Sequence, residues 1–252
     1  YAQEQGLPIL QPIKLKDPEF IAQLSALKPD LQVVVAFRML PETVWNLPPQ
    51  GTVNVHGSLL PKYRGAAPIN WAILNGEKET GVSTFKLKHE IDTGDILLQE
   101  KMPIGPNETA GELHDRMKVE GAQLLVKTLQ ELANGTLKAS QQQLNSDIKH
   151  APKLFKTDCE IDWNNTSEQI HNQIRGLSPY PTAFTVLGDK TLKIFSAEIE
   201  PGKPEIPAGT FSSDHKSYLK FAATDGYLSL KEMQLEGKKK MGIEEFLRGV
   251  RL

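Results

Sequence analysis

Three residues in the first half of the chain are of the types that acid–base catalysis through an oxyanion needs. Asn54 and His56 stand two positions apart, and Asp92 follows in the segment Asp92-Thr93-Gly94-Asp95. An amide can steady an oxyanion, an imidazole can move a proton, and a carboxylate can orient that imidazole. Taken singly, Asn54 fits an ordinary strand end, His56 a hydrogen-bonded core histidine, and Asp92 with Gly94 a tight turn.

The segment that holds Asn54 and His56 is predicted to be a strand from Thr52 to His56. Because side chains alternate across a strand, Asn54 and His56 share one face and the neighbouring valines pack on the other. The strand ends at Gly57-Ser58, so both polar residues lie near its carboxyl end. Ligand sites in open α/β sheets gather at that edge.

The first part of the chain alternates helix and strand signals. Asp17-Pro18 and the Thr109–Glu112 capping box each predict a helix start, and Pro68 predicts a helix that ends at Asn75-Gly76. A strand covered on both faces is expected at Leu31–Ala36, and further strands are expected at Thr52–His56, Thr80–Lys88 and Ile96–Met102. The expected product is an α/β domain with an open, mostly parallel Rossmann-like sheet and helices on both faces.

The chain divides into three predicted regions: a first domain over 1–137, a linker over 138–156 and a second domain over 157–252. The linker is polar and contains three consecutive glutamines. The second domain has one helix from Ser167 to about Arg175, followed by short strand-like runs, which favours a small antiparallel β-barrel or sandwich. The chain opens at Tyr1, and its first helix leads into one strand, so we expect an N-terminally incomplete first domain.

Composition excludes several classes of site. The single cysteine, Cys159, allows neither an internal disulfide nor a cysteine-based zinc site. The histidines show no metal-ligand spacing, so no metal is expected. With a net charge of -2, any contact with nucleic acid must use a local basic patch.

The motifs taken together resemble the folate-dependent formyltransferases. The matching segments are Asn54–Pro61, Arg64–Ile69, Thr80–Val82 and Asp92–Asp95. The resemblance implies that Asn54, His56 and Asp92 are catalytic and that 10-formyltetrahydrofolate is the formyl donor. The residues implied to bind folate are Phe37, Arg38, Leu40, Ser58, Leu59, Leu60, Pro61 and Gly94. Arg38 stands where many members carry glycine.

The later segments resemble one branch of that family, the methionyl-tRNA formyltransferases. They include Ala151–Leu154, Ile161–Trp163 and the block Gly176-Leu177-Ser178-Pro179-Tyr180-Pro181. The resemblance implies an initiator methionyl-tRNA partner, a barrel related to the oligonucleotide-binding fold, a cytoplasmic location and a monomer. The residues expected to bind tRNA are Arg64, Arg175, Lys238, Lys239, Lys240 and Arg248.

Three alternatives stay open at the level of sequence. A 10-formyltetrahydrofolate hydrolase domain would carry the same triad, and a sugar-nucleotide N-formyltransferase is the second candidate. A non-catalytic tRNA-binding module is the third, and the intact triad speaks against it. The sequence also leaves open whether His56 or Asp92 is the immediate base.

Overall fold

The computed structural model describes residues 1–143 and 148–250. Residues 144–147 of the predicted linker and residues 251–252 of the predicted second domain lie outside the described residues. In chain order the first part contains α1 (Pro18–Ala26), β1 (Gln32–Val34), α2 (Glu42–Trp45), β2 (Thr52–His56), β3 (Arg64–Gly65), α3 (Pro68–Leu74), β4 (Glu79–Lys86), β5 (Ile96–Pro103), α4 (Ala110–Ala133) and β6 (His150–Ala151).

Local sequence signals set the helix starts in this part. The Asp17 side chain accepts a hydrogen bond from the Glu19 N–H at the start of α1. Thr109 and Glu112 form the predicted capping box of α4. The helix predicted from Pro68 ends at Leu74, with Asn75 as its C-cap.

The first sheet is mixed, with the strand order β1-β2-β4-β5. Only the β1–β2 pair is parallel among these strands, whereas β2–β4 and β4–β5 are antiparallel. The expectation of a mostly parallel sheet is therefore wrong for the described residues. For the β4–β5 pair the reason is local, because β4 returns directly into β5 through the loop 87–95, and such a loop joins antiparallel strands.

The strand expected at Leu31–Ala36 is shorter and more exposed than predicted. β1 covers Gln32–Val34, Val34 is buried and Val35 is exposed. Ala36 turns to a φ of 48°. Within the described sheet β1 pairs only with β2, so the burial expected for a central strand is not reached.

The strand β2 has the predicted bounds and the predicted alternation. Val55 packs against α4 at Gly121, while Asn54 is paired in register with Phe85 of β4. The His56 ring meets the Phe85 ring edge-on, with 6.3 Å between centroids. On the other face, α4 packs on β4 and β5, and its Met117 lies in the core of the first part.

The second part forms an antiparallel sheet around a separate core. Its elements are a 3₁₀ helix (Lys156–Cys159), α5 (Ser167–Leu177), β7 (Ala183–Leu187), β8 (Lys190–Pro201), β9 (Phe211–Ser213), β10 (Leu219–Ala222), β11 (Gly226–Leu235), β12 (Met241–Gly242) and α6 (Ile243–Gly249). The strand order is β7-β8-β11-β10-β9, and β12 pairs with β11.

The second sheet is a curled half-barrel and not the closed barrel that the sequence favours. Its outer strands, β7 and β9, are not paired with each other in the part of the chain that the structure describes. The curl has a visible origin, because the β8–β11 ladder contains register irregularities near Glu232, and a bulge bends the strand that carries it.

The two parts meet where α3 packs on α5, and we call this contact the domain junction. Gly176 of α5 lies so close to α3 that an added Cβ would stand 3.1 Å from the Leu74 N atom. Asn70 of α3 donates a hydrogen bond to the Gly176 carbonyl at 2.8 Å. The Gly111 N–H at the start of α4 donates to the Ser178 carbonyl at 3.0 Å. The block that begins at Gly176 therefore seats the second part on the first.

The linker residues that are described also contact the first part. β6 pairs in parallel with β3, and the Trp71 indole N–H donates to the Pro152 carbonyl. None of the described helices is long and apolar enough to cross a membrane.

Candidate active site

A cavity of about 1270 Å³ opens at the carboxyl end of β2. Its walls come from the segment after β1, the start of α3, the loop after β4 and one face of α4. Asn54, His56 and Asp92 all line this cavity, so the structure brings together the three residues that the sequence singles out.

Asn54 places an unsatisfied polar atom at the cavity. The residue is 4% exposed, and its Oδ1 has no hydrogen-bond partner among the described residues. A buried polar atom without a partner costs about 1–3 kcal/mol. Such an atom next to a cavity suits a ligand that brings its own hydrogen-bond donor.

His56 is buried and held through one ring nitrogen. Its Nε2 lies 2.9 Å from the Tyr63 carbonyl oxygen. A carbonyl only accepts, so Nε2 carries the proton and donates, and in the neutral ring the lone pair is on Nδ1. Tyr63 itself is at a φ of 61°, and its hydroxyl donates to Glu77, which also accepts from Lys149.

The Glu77 carboxylate that accepts from the Tyr63 hydroxyl is kept charged. Burial alone would raise its pKa, but the hydrogen bonds from Lys149 and Tyr63 outweigh that effect and the pKa of Glu77 is lowered. Tyr63, Glu77 and Lys149 thus form a hydrogen-bonded group that holds the side chain of the residue whose carbonyl contacts His56 Nε2.

Asp92 faces the remaining ring nitrogen. Its Oδ2 lies 3.8 Å from His56 Nδ1 and accepts a hydrogen bond of 2.8 Å from the Gly65 N–H. Asp92 has a φ of 54°, a left-handed conformation that aspartate tolerates better than most residues. The separation is too long for a hydrogen bond, but the carboxylate stands where it would stabilise a proton gained on Nδ1.

The residues expected to bind folate divide into two groups. Phe37 and Leu40 line the cavity. Arg38 is outside that lining, and its guanidinium points to the carbonyls of Pro12 and Ile13. Gly94 lies against the Lys86 main chain, where a Cβ could not fit.

The run Ser58–Pro61, which the resemblance implies binds folate, does not line the cavity. Leu60 is buried outside the cavity lining, and its N–H donates to Ser83 Oγ at 3.1 Å. Ser58 donates to the Lys62 carbonyl, and the Leu60–Pro61 peptide is cis. The run forms a tight turn that is hydrogen-bonded to β4 and supports the carboxyl end of β2 from outside the cavity.

The residues expected to bind tRNA do not all lie on one exposed surface. Arg175 is only 4% exposed, and its guanidinium donates to Asn172 Oδ1 and to the carbonyls of Gly105 and Glu108. Burial lowers the pKa of Arg175, although nearby Glu108 and Glu168 oppose that shift. The side chain of Arg175 is thus used at the domain junction, and the tRNA role expected for it stays a prediction.

The other basic candidates are more accessible. Arg64 is half-buried and donates to Gln142 Oε1. Lys238, Lys239, Lys240 and Arg248 are exposed, with Lys239 paired to Glu245 and Lys240 paired to Glu232. These four exposed residues remain candidates for a tRNA contact.

Several residues that line the cavity could not be identified from the sequence. Val35, Met39 and Ile91 are exposed apolar residues that line the cavity, and isolated exposed apolar side chains are common on any protein.

No group of three or more potential metal-ligating side chains occurs within 1–143 and 148–250.

Family models match both parts of the chain. The model described as "Formyl transferase" matches residues 1–129, and the model described as "Formyl transferase, C-terminal domain" matches residues 153–251. The methionyl-tRNA formyltransferase of Parabacteroides distasonis is 50% identical over 258 residues, covering 99% of this chain and 80% of the relative. The chain belongs to the methionyl-tRNA formyltransferase family. The family resemblance inferred from the motifs is thus confirmed, and the chain is a formyltransferase.

Solved structures give the same fold. HypX from Aquifex aeolicus in complex with tetrahydrofolic acid matches with a TM-score of 0.68 at 22% identity, covering 93% of this chain and 42% of HypX. WlaRD, a sugar 3N-formyl transferase, matches with a TM-score of 0.69 at 24% identity, covering 94% of this chain and 81% of WlaRD. These neighbours share the arrangement of elements with the formyltransferase family member described here.

Proposed function

We propose that this protein transfers the formyl group of 10-formyltetrahydrofolate to the α-amino group of methionine on initiator tRNA. The observation that carries the proposal is the convergence of Asn54, His56 and Asp92 on one cavity, in a chain about half identical to a methionyl-tRNA formyltransferase. We propose that the reaction takes place in the cytoplasm with the protein as a monomer.

Asn54 is suited to binding the oxyanion of a tetrahedral intermediate. When the amine attacks the formyl carbon, the carbonyl oxygen gains negative charge and needs a donor that is already in place. The Asn54 amide N–H would supply that donor. Its buried Oδ1 would at the same time accept from an N–H of the substrate, which would satisfy the atom that lacks a partner.

His56 is the better candidate for the base, and Asp92 for its electrostatic support. Because Nε2 already donates to the Tyr63 carbonyl, Nδ1 is the ring nitrogen that can accept a proton from the attacking amine. Protonation at Nδ1 would place a positive charge opposite Asp92 Oδ2, at 3.8 Å in this structure. The leaving nitrogen of the folate can recover the proton as the C–N bond breaks.

The cavity has room for a folate cosubstrate. Drug-sized ligands occupy pockets of about 300–1,000 Å³ lined mainly by apolar side chains, and this cavity is larger, at about 1270 Å³. We propose that Phe37 and Leu40 contact the folate directly. Ser58, Leu59, Leu60, Pro61 and Gly94 act by shaping the loops around it, and Arg38 by holding the segment after β1.

For the acceptor we propose a basic face on the second part of the chain. Lys238, Lys239, Lys240 and Arg248 would contact tRNA phosphates there, and Arg64 would contribute near the cavity. We also propose that the half-barrel is an oligonucleotide-fold relative and that the domains have the boundaries 1–137, 138–156 and 157–252. Replacing the three lysines with glutamine should weaken tRNA binding and lower its salt slope; an unchanged slope would remove them from the interface.

A product assay tests the proposed function. The purified protein is incubated with 10-formyltetrahydrofolate, with and without initiator methionyl-tRNA. Formylated methionyl-tRNA is the expected product. Release of formate at the same rate without tRNA would instead identify a hydrolase, and formylation of an amino sugar nucleotide in preference to the tRNA would identify a sugar N-formyltransferase.

A further inference from the structure

One glutamine of the linker reaches the active-site loop. Gln142 is the middle residue of the three consecutive glutamines and is half-buried, whereas Gln141 and Gln143 on either side are exposed. Its Nε2 donates to the Asp92 carbonyl at 2.8 Å and to the Gly94 carbonyl at 2.7 Å. The polar linker therefore contains one side chain that bonds to the main chain on both sides of Thr93.

The orientation of this amide is fixed by its other contact. Arg64 donates to Gln142 Oε1 from Nε at 3.1 Å and from Nη2 at 2.5 Å. Because a guanidinium only donates, the oxygen of the amide must face Arg64, and the NH₂ group must face the two carbonyls. The amide thus makes four hydrogen bonds to three different residues.

Asp92 needs such support more than an ordinary loop residue does. Its φ of 54° is a conformation that a free loop would leave readily. Its carboxylate reaches His56 through a gap of 3.8 Å, so a small change in the loop would remove the carboxylate from Nδ1. The Gly65 N–H holds Oδ2, but that bond fixes the side chain and not the main chain.

We propose that Gln142 is a positioning residue that holds Asp92 in the geometry needed to support His56. The inference rests on the proposed function of the same site. Misplacing a catalytic group by about 1 Å can cost up to about 100-fold in rate. Since Asp92 keeps its bond from Gly65, we expect a partial loss, with kcat falling about 10-fold.

Two substitutions test the proposal in complementary ways. Gln142→Met keeps the length of the side chain and removes all its hydrogen bonds. Gln142→Glu keeps the acceptor for Arg64 but presents an oxygen to two carbonyl oxygens, so its effect should be the larger. Gln141→Met and Gln143→Met are matched controls, since these neighbours are exposed.

The first readout is kinetic. Both Gln142 variants should lower kcat about 10-fold or more, with the KM values for the formyl donor and methionyl-tRNA within about twofold of wild type. The controls should match wild type. A kcat equal to that of wild type in Gln142→Glu would overturn the proposal. So would a fall in kcat matched by an equal fall in folate-binding stoichiometry, because that would indicate unfolded protein.

The second readout does not need activity. Hydrogen exchange at the Gly65 amide, measured by NMR, should become about 10-fold faster in Gln142→Met, while the Leu124 amide within α4 exchanges at the wild-type rate. Unchanged exchange at Gly65 would show that Gln142 does not hold Asp92. If the wild-type protein formylates no tRNA, the proposed function fails, and the exchange result still decides the role of Gln142.

Discussion

At the cavity, Asn54 keeps a buried oxygen without a hydrogen-bond partner among the described residues, whereas at the domain junction the buried Arg175 makes three hydrogen bonds. The cavity also leaves His56 and Asp92 slightly too far apart to bond. The junction packs Gly111 and Gly176 directly against neighbouring atoms. The buried Asn54 oxygen at the cavity thus lacks a hydrogen-bond partner among the described residues, whereas the buried guanidinium that joins the two parts is hydrogen-bonded.

This difference predicts opposite outcomes for substitutions in the two regions. A change at the cavity should lower activity and leave stability intact. A change at the junction should lower stability and leave activity intact. Four substitutions test the contrast, in order of decreasing effect.

Asn54→Ala should have the largest effect. Loss of one oxyanion donor lowers kcat by about 100- to 1,000-fold, or about 3–4 kcal/mol of barrier. The free energy of unfolding should not fall, because Asn54 Oδ1 makes no bond that could be lost. Single-turnover formylation and urea unfolding measure the two quantities. Turnover near wild type with both substrates bound would exclude the oxyanion role.

Arg175→Met should give the opposite result, a loss of stability with activity retained. The variant loses three charge-assisted hydrogen bonds in a buried place, and we expect the free energy of unfolding to fall by about 3 kcal/mol. The kcat of the folded fraction should stay within about twofold of wild type. Loss of tRNA affinity with unchanged stability would restore the surface role that the sequence suggested for Arg175.

Gly111→Ala should destabilise the protein by about 2 kcal/mol, a cost typical of overpacking. An added Cβ would stand 2.5 Å from Pro179 Cδ, and a proline ring cannot rotate away. Gly249→Ala in α6 is the matched control, since nothing lies within 4 Å of its added Cβ. Equal midpoints of thermal unfolding for the two variants would show that Pro179 can move away from an added Cβ at Gly111 without a loss of stability.

His171 should give the smallest effect, through pH. Burial, with the charge of Arg175, lowers the pKa of His171 below its usual 6.5, against an opposing effect of Glu168. The unfolded chain then binds the proton more readily than the folded protein does. Stability should therefore fall as the pH drops through about 6.5 towards the lowered pKa. His171→Gln should flatten that slope in urea unfolding at pH 7 and pH 5, and an unchanged slope would assign the titration to other groups.

Elements with strong local signals could be predicted from the sequence. The Thr109 capping box, Pro68 at a helix start and the Thr52–His56 strand are encoded by residues within one turn or one strand. The short elements β9, β12 and α6 were not predicted, because their few residues acquire structure from the strands beside them.

The site could be predicted in its chemistry but not in its supports. Asn54, His56 and Asp92 were found by residue type, spacing and family resemblance. Gln142 and Tyr63 were missed because they act through contacts between distant parts of the chain, with Gln142 lying within a uniform run of glutamines. The burial of Arg175 was missed for a related reason: an arginine in the last turn of a helix looks the same in sequence whether solvent or another domain surrounds it.

The left-handed backbone of Asp92 has a consequence for the design of variants. Most residues placed there would strain the loop by about 1–2 kcal/mol, so an alanine or glutamate variant would mix a backbone effect with the loss of the carboxylate. Asparagine accepts the same φ nearly as well and has the same shape. Asp92→Asn is therefore the substitution that removes the negative charge alone, and it can separate what this loop contributes by charge from what it contributes by form.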